Sequence, residues 1–389
     1  MTALKPISDL FPLERAQSAV AVAEEFADRV DRENRFPHEA IGEMRASGLL
    51  AMAVPQEMGG EGARLSDLCA VAKSLGSACS ASAMIFAMHQ ICTLNLLDCA
   101  LDSQWHRDLV RQLTTQPMLF ASATTEAGVG GDLRQSICAI ETNENRASLV
   151  KEAPVISYGE HADAIFATAR PNSHAALSDQ ILAVIMRDQC ELERISTWDA
   201  LGMRGTCSHG YRLKAEFDAQ QVMPKPFADI AADSMVAVSH LLWGSVWCGI
   251  ASAAFHRAQT FVATGVRTHA GQPHAGSARL AKAFAGLRNI EASIESVLNE
   301  WEQARSHPTL NVALSINALK LLVSTEALAV VDEALVVCGI HGYGNNGPYS
   351  IGRQLRDIHS ARLMIANDRI AVNTGQMLLM QRRPKARQA

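Results

Sequence analysis

The sequence predicts an α+β fold with an N-terminal α-helical domain, a central β domain and a C-terminal four-helix bundle. From about residue 12 to 118, apolar residues such as Val20, Ala23 and Phe26 fall three or four positions apart, which indicates helices. Short apolar runs at 164–169 and 181–186, separated by polar turns, indicate strands. Helical periodicity returns from about 227. We therefore expect domains at 1–118, 119–226 and 227–389.

One long apolar stripe predicts that the C-terminal helices pack together as a bundle. Its members follow helical spacing and need a partner surface that excludes water. They are Leu280, Phe284, Leu287, Ile290, Ile294, Val297 and Trp301. The segment 338–348 is too rich in glycine to continue as helix, so we expect it to divide the last two bundle helices.

The composition indicates a compact globular protein, since 48% of the 389 residues are hydrophobic and 19% are charged. A net charge of -5 provides no basic surface for nucleic acid. The nine cysteines show no CxxC pair and no zinc-like spacing, so we expect reduced thiols and no metal. The first residues, 1–6, show no apolar h-region of the kind found in signal peptides, and no uninterrupted apolar run is long enough to span a bilayer. We expect a cytoplasmic protein without a membrane partner.

Four segments, in order along the chain, carry a family resemblance. They are 48–60 (GLLAMAVPQEMGG), 124–132 (TTEAGVGGD), 201–208 (LGMRGTCS) and 339–343 (GIHGY) followed by Arg356-Asp357. Together they resemble the conserved segments of the acyl-CoA dehydrogenase superfamily. The resemblance implies that family's fold and a bound flavin, FAD rather than FMN.

Small residues after the first predicted strand are the first candidate flavin contacts. Thr124, Thr125, Gly130 and Gly131 form a turn whose amide and hydroxyl donors can approach a flavin ring and its diphosphate. Ser157 matches the hydroxyl position of the family strand beside the isoalloxazine. An ordinary glycine turn is the alternative interpretation.

The resemblance implies three further cofactor contacts. Arg267 matches an arginine that reaches the flavin diphosphate of a neighbouring subunit, where a guanidinium can bind phosphate oxygens bidentately. Gly339 lies in the Gly-rich bundle motif, and Asn367 stands where the family has the threonine of a Gly-Thr pair. Because the family completes its flavin site across subunits, we expect a homotetramer. A surface arginine is the alternative for Arg267.

Both positions of the family's catalytic glutamate hold other residues. That base takes the α-proton of a thioester while the flavin accepts the β-hydride. Nine positions after Arg356 the sequence has Ile365, which cannot accept a proton. The second position, on the first bundle helix, holds Ser239, followed by His240 where the family often has a substrate-facing arginine.

Histidines are the candidate replacements, because imidazole can act as acid or base near neutral pH. His89 lies in an apolar helix, and oxygenating members of the superfamily carry a histidine in a comparable helix near the flavin. His240 is the second candidate by position. A satisfied core histidine is the alternative for each, while His341 and His359 fit structural roles better.

We expect an FAD-dependent oxidoreductase that acts on an acyl-CoA substrate with non-standard, oxygen-using chemistry. Loss of the glutamate favours this, because a fold that no longer removes the α-proton can instead hold reduced flavin for molecular oxygen. Three alternatives stay open: a conventional acyl-CoA desaturase with a relocated base, a two-component flavin monooxygenase on a non-CoA substrate, and a flavin-binding protein without turnover.

Overall fold

The N-terminal part of the chain is helical. The computed structural model describes residues 12–268, 275–305 and 309–380. Its first five helices are α1 (Pro12–Glu33), α2 (His38–Ala46), α3 (Leu65–Ala78), α4 (Ser80–Cys99) and α5 (Gln104–Thr115). The proline- and glycine-containing loop between α2 and α3 includes two short 3₁₀ turns, Leu49–Ala51 and Gln56–Met58.

Seven strands follow and form two sheets. They are β1 (Phe120–Ala123), β2 (Ile140–Asn143), β3 (Arg146–Ala153), β4 (Ala164–Ala169), β5 (Ile181–Met186), β6 (Cys190–Ser196) and β7 (Gly210–Asp218). In the first sheet β4 lies between β1, to which it is parallel, and β5, to which it is antiparallel. The second sheet is antiparallel, in the order β2-β3-β7-β6. The two apolar runs predicted as strands pair with each other as β4 and β5.

Helices return after the sheets. They are α6 (Phe227–Ile230), a π-helical turn (Ala231–Met235), α7 (Val236–Thr268), α8 (Ser277–Ala304), α9 (Leu310–Cys338), α10 (Ile340–Tyr343), α11 (Gly352–Ile358), α12 (Ser360–Leu363) and α13 (Asn367–Met380). Helix α9 packs against α7, α8 and α13. On α8, the predicted stripe is buried from Leu287 to Trp301, while Phe284 is 53% exposed. The α+β class agrees with the prediction, and the exact domain boundaries stay predictions.

From the sequence we expected no apolar segment long enough to span a bilayer, but two helical segments meet that condition. Helix α4 and the segment Phe227–Gly265 are long and apolar enough to cross a membrane by length and composition. In each, 89% of the apolar window is buried inside the fold. A helix that is apolar on all sides needs an apolar environment, and here the protein interior provides it. Both segments are therefore core helices of this fold.

Helices α3 and α7 cross closely where each has a glycine. A Cβ on Gly249 would lie 2.2 Å from the carbonyl oxygen of Lys73, and a Cβ on Gly76 would lie 2.6 Å from that of Val246. Since backbone atoms cannot move aside cheaply, a larger residue at either position would separate the helices. Gly244, on the same helix α7, has its nearest neighbour at 3.9 Å.

We predict that Gly249→Ala destabilises the protein by about 1–3 kcal/mol, because the added methyl overlaps backbone atoms of α3. The control Gly244→Ala has room for its methyl and gains helix propensity, so its stability should stay the same or rise by about 0.5–1 kcal/mol. Thermal unfolding of the two variants beside the parent measures this. Equal midpoints for both variants would contradict the close crossing.

Candidate functional site

A cavity of about 450 Å³ lies where the three parts of the fold meet. Helix α4 contributes Met84, Met88 and Ile91 to its wall, and α7 contributes Ser239 and Trp243. Further lining residues come from the first sheet, from the loops after β1 and β3, from the segment 198–208 between β6 and β7, and from α11, α12 and the segment that follows. Its size and mainly apolar lining are those of a small-molecule site.

One wall of the cavity carries hydroxyl groups. Thr124, Thr125, Ser157, Thr206 and Ser208 all line it. Ser157 Oγ and Ser208 Oγ are 2.8 Å apart, and Thr206 Oγ1 lies 2.7 Å from Ser208 Oγ. Three residues predicted from two separate segments, Thr124 and Thr125 from one and Ser157 from the other, thus line the same cavity. Ser157 lies in the turn after β3 and not in a strand, which corrects that detail.

A buried ion pair anchors the start of the loop that contains Gly130 and Gly131. Lys151 Nζ lies 3.0 Å from Glu126 Oε2, and both side chains are almost fully buried. Glu126 also accepts hydrogen bonds from Ser136 Oγ and from the amide of Cys138. Burial alone would raise the pKa of Glu126, but the Ser136 hydrogen bond and the Lys151 ammonium outweigh it and lower that pKa. The paired carboxylate fixes where the loop begins.

Gly130 and Gly131 themselves are exposed and do not line the cavity. Both have positive φ angles, 59° and 77°, which glycine adopts without strain. The Arg369 guanidinium donates to the carbonyl oxygen of Gly130 and lies 3.7 Å from the place of a Cβ on Gly131. No sequence pattern indicated that Arg369 contacts this loop. Flavin contacts at the two glycines stay predictions.

A tight turn at Met203 forms another part of the wall. Met203 has a φ of 53°, and its amide donates to Asp357 Oδ1 at 2.6 Å. Ser80 Oγ donates to the other carboxylate oxygen of Asp357 at 2.5 Å. Next to this turn, a Cβ on Gly202 would lie 2.3 Å from the carbonyl oxygen of Arg356. Only glycine therefore permits this approach between the turn and α11.

Ile365 lines the cavity at the position where the family's base was sought. Its φ of 51° is unusual for a β-branched residue. Lys320 Nζ donates to the carbonyl oxygen of Ile365 at 2.7 Å and to Asn367 Oδ1 at 2.6 Å. Burial lowers the pKa of Lys320 to about 8. Lys320 was missed from sequence, although a single lysine inside a strongly apolar helix was the available signal.

Asn367 is engaged with the protein and does not line the cavity. Besides accepting from Lys320, it donates from Nδ2 to Ser324 Oγ at 2.9 Å. Among the cavity-lining residues of the described chain there is neither an aspartate nor a glutamate. No three His, Cys, Asp or Glu side chains within 12–268, 275–305 and 309–380 come together as metal ligands would.

His89 is fully buried and is not among the residues that line the cavity. Its Nδ1 accepts from the amide of Phe120 at 3.1 Å, so Nε2 carries the proton and donates to the carbonyl oxygen of Leu50 at 2.7 Å. Burial lowers the pKa of His89 to about 4. The ring connects α4 to β1 and to the loop after α2, an arrangement that favours a structural role.

His240 is also buried and lies outside the cavity wall, unlike its neighbour Ser239. Neither ring nitrogen has a hydrogen-bond partner among the described residues, although the carbonyl of Ile316 lies close enough to favour protonation. Burial, reinforced by the Lys320 ammonium, lowers the pKa of His240 to about 4. His359, considered structural from sequence, does line the cavity.

The two remaining predicted cofactor contacts are Gly339 and Arg267. Gly339 ends α9 with φ 55° and ψ −135°, away from the cavity wall. Arg267 falls near the end of α7, and its side chain lies outside the described residues. Their roles as flavin contacts stay predictions.

The chain belongs to the acyl-CoA dehydrogenase superfamily, of which it is a divergent member. Residues 15–115 match the acyl-CoA dehydrogenase N-terminal domain, and residues 241–369 match the acyl-CoA dehydrogenase C-terminal domain. Members are flavin-dependent oxidoreductases, so this chain is a flavoenzyme of that fold.

Proteins similar to this chain over most of its length include nitrososynthases and monooxygenases as well as acyl-CoA dehydrogenases. The amino sugar nitrososynthase DnmZ of Streptomyces peucetius is 24% identical over 86% of this chain and 84% of its own length. The probable FMNH2-dependent monooxygenase SfnC of Pseudomonas putida is 21% identical, covering 94% and 96%. The FMN-bound structure of TdsC from Paenibacillus sp. A11-2 has a TM-score of 0.85 at 17% identity, covering 96% and 98%. That structure shows the shared fold.

The cavity wall fits a flavin on the chemistry of its donor groups. An isoalloxazine has a flat apolar face and an edge of carbonyl and N–H groups. Thr124, Thr125 and Ser157 present hydroxyls along one side of the cavity, while Met88 and Trp243 supply apolar surface. These residues would hold the ring. The family's flavin is the cofactor, and the choice of FAD over FMN stays a prediction.

We predict that His240 makes the protein less stable at acidic pH. Its folded-state pKa of about 4 lies below the usual 6.5, so its contribution is complete above pH 6.5 and is lost as the pH falls toward 4. His240→Leu removes this term and should lose less stability between pH 7 and pH 5, by up to about 2 kcal/mol.

Thermal unfolding at the two pH values checks this, with His256→Gln, an exposed histidine on the same helix, as control. A pH dependence in His240→Leu equal to that of the parent would show that His240 is not held neutral. If His240→Leu also keeps its turnover, the residue is not the acid or base.

Proposed function

We propose that this protein is a flavin-dependent monooxygenase that oxidises a small, mainly apolar substrate with molecular oxygen. The observation that carries the proposal is the cavity wall, which contains no carboxylate among the described residues and has Ile365 at the family's base position. A site without the carboxylate that takes the α-proton cannot start thioester desaturation in the family's way. The similarity to monooxygenases and nitrososynthases over most of the chain supports the same conclusion.

The chain's own residues contribute binding and exclusion of water. When bound, flavin supplies the redox chemistry, including the reaction of its reduced form with oxygen. Thr124 and Ser157 would hold the ring through their hydroxyls, while Thr125, whose Oγ1 donates to the carbonyl oxygen of Val155 at 2.8 Å, would offer it an acceptor. The methionine, isoleucine and tryptophan side chains of α4 and α7 exclude water, which protects reactive species from hydrolysis and from proton exchange.

An acyl-CoA substrate is the second candidate, as the family membership suggests. His359 favours it, because its imidazole lines the cavity close in sequence to Ile365 and could take the α-proton in place of the glutamate. In that case the enzyme is a desaturase with a relocated base, with or without a following oxygenation.

We predict that acyl-CoA thioesters do not reduce the bound flavin under anaerobic conditions. The flavin should instead be reduced by an external reductant or reductase, and its reoxidation by oxygen should be coupled to substrate oxidation. Anaerobic titration with a panel of thioesters, followed by stopped-flow mixing with oxygen, measures both steps.

The outcome of the titration separates the two candidates. Bleaching of the flavin by any thioester, abolished in His359→Gln, would establish the desaturase and reject our first proposal. A protein that binds no flavin and shows no redox response would instead be a binding protein without turnover.

We further propose a homotetramer. Ile340 and Tyr343 on α10, and Leu379 and Met380 on α13, are each more than 70% exposed, which is unusual for apolar side chains unless another surface covers them. A cytoplasmic location remains part of the proposal.

We predict that Tyr343→Asp shifts the mass measured by light scattering from a tetramer toward smaller species, because a charge in an apolar contact is costly. Val150→Asp, at an apolar residue of β3 that is 59% exposed, should leave the mass unchanged. A monomeric parent protein would reject the tetramer.

A further inference from the structure

Asn95 is a buried polar side chain on the wall of the cavity. It lies on α4, lines the cavity and is 2% exposed. Its Oδ1 is buried without a hydrogen-bond partner, and no hydrogen bond joins its Nδ2 to any other described residue. Leaving such a group unbonded is costly, so a folded protein retains it where a partner arrives from outside the chain.

Two buried polar residues of the same helix, His89 and Thr93, do find protein partners. His89 bonds to the backbone at Leu50 and Phe120, and Thr93 Oγ1 donates to the carbonyl oxygen of His89 at 3.1 Å. Asn95 has neither kind of bond, although the same helical backbone offers it the same opportunities. Ser82 Oγ, on the same helix but not on the cavity wall, also lacks a partner among the described residues, so what distinguishes Asn95 is that its unbonded carboxamide lines the cavity.

Asn95 ends a stripe of residues that face the cavity from one side of α4. Met84, Met88, Ile91 and Asn95 all line the cavity, and their spacing of four, three and four places them on one face of the helix. The stripe extends about 16 Å along the helix axis. Its surface is apolar until the last position, which carries a carboxamide.

Helix α7 adds hydrogen-bonding groups without charge. Ser239 and Trp243 lie one turn apart on α7, and the indole Nε1 of Trp243 also has no partner among the described residues. The only lining side chain of the described chain with a permanent charge is Arg356, whose guanidinium is bound to Asp31. The environment around Asn95 thus suits a neutral ligand group.

We propose that Asn95 binds the substrate, and that the substrate is a neutral, mainly apolar molecule with a group that both donates and accepts hydrogen bonds, such as a lactam, an amide or a hydroxyl. The assignment rests on the proposed function for the identity of the site. It concerns recognition and requires no particular oxidation step. A carboxamide matches a lactam especially well, because each supplies one donor and one acceptor.

This arrangement selects against plain hydrocarbons and unsubstituted acyl chains. A ligand without a polar group would cover the Asn95 carboxamide and still leave it unbonded. A site that is built to bond a polar group rejects the analogue that lacks it for this reason. Asn95 is thus a specificity-determining residue.

The test uses flavin-loaded protein with the flavin oxidised, and measures binding by calorimetry. The probes are 2-quinolinone, a lactam, and naphthalene, which has nearly the same shape without the polar group. We expect Asn95→Leu to reduce the affinity for 2-quinolinone relative to naphthalene by about tenfold, as loss of one or two hydrogen bonds implies. The matched control Asn317→Leu, on α9 and away from the cavity wall, should leave that ratio unchanged.

The thermal midpoint is a second measurement, which distinguishes a role of Asn95 in ligand binding from a role in stability. Without a ligand, Asn95→Leu should keep or raise the thermal midpoint, because it removes an unbonded polar group. A lowered midpoint with an unchanged affinity ratio would overturn the proposal and make Asn95 structural. Failure of the parent protein to bind 2-quinolinone would overturn it too. Because no turnover is measured, a failed oxygenation experiment leaves this result interpretable by itself.

Discussion

The buried carboxylate of Asp357 connects the three parts of the fold at the cavity. From α11 it accepts from Ser80 at the start of α4 and from the amide of Met203 in the turn after the sheets. Burial raises the pKa of Asp357, and the Arg353 guanidinium opposes that effect. A buried acid with two donors holds its neighbours in fixed positions, because breaking one bond would leave it unsatisfied. The wall that Met203 forms therefore depends on helices far away in sequence.

A second buried polar group fixes the wall at Ile365. The Lys320 ammonium has no carboxylate partner among the described residues and instead bonds the backbone of Ile365 and the side chain of Asn367. These bonds compensate for the left-handed conformation of a β-branched residue, which would otherwise be costly. The backbone at the family's base position is thus kept in place although its side chain cannot take a proton. We infer that the position now serves the shape of the cavity.

The sequence was sufficient for the α+β fold, because helical and strand periodicities are local properties. The four ordered motifs led to the family, and Thr124, Thr125 and Ser157 do meet at one wall. The sequence could not distinguish a histidine that faces a cavity from one that bonds the backbone, since both occur in apolar helices. His89 and His240 looked alike for that reason, and His359 was underrated. Lys320, Asn95 and Arg369 depend on contacts between distant segments, which no local pattern contains.

The chemistry proposed for this site follows from a lining that is mainly apolar and contains no carboxylate among the described residues. Removing an α-proton needs a group that is basic at the operating pH and reaches the substrate. His89 and His240 lie behind the wall with pKa values near 4, and Ile365 is aliphatic, so His359 is the one imidazole of the described residues that lines the cavity. A mainly apolar cavity with hydroxyl-bearing residues in its wall and a carboxamide at the end of an apolar stripe can still position a flavin and a neutral substrate. Proximity and exclusion of water are the contributions that oxygen transfer most requires from a protein, because the flavin supplies the reactive centre.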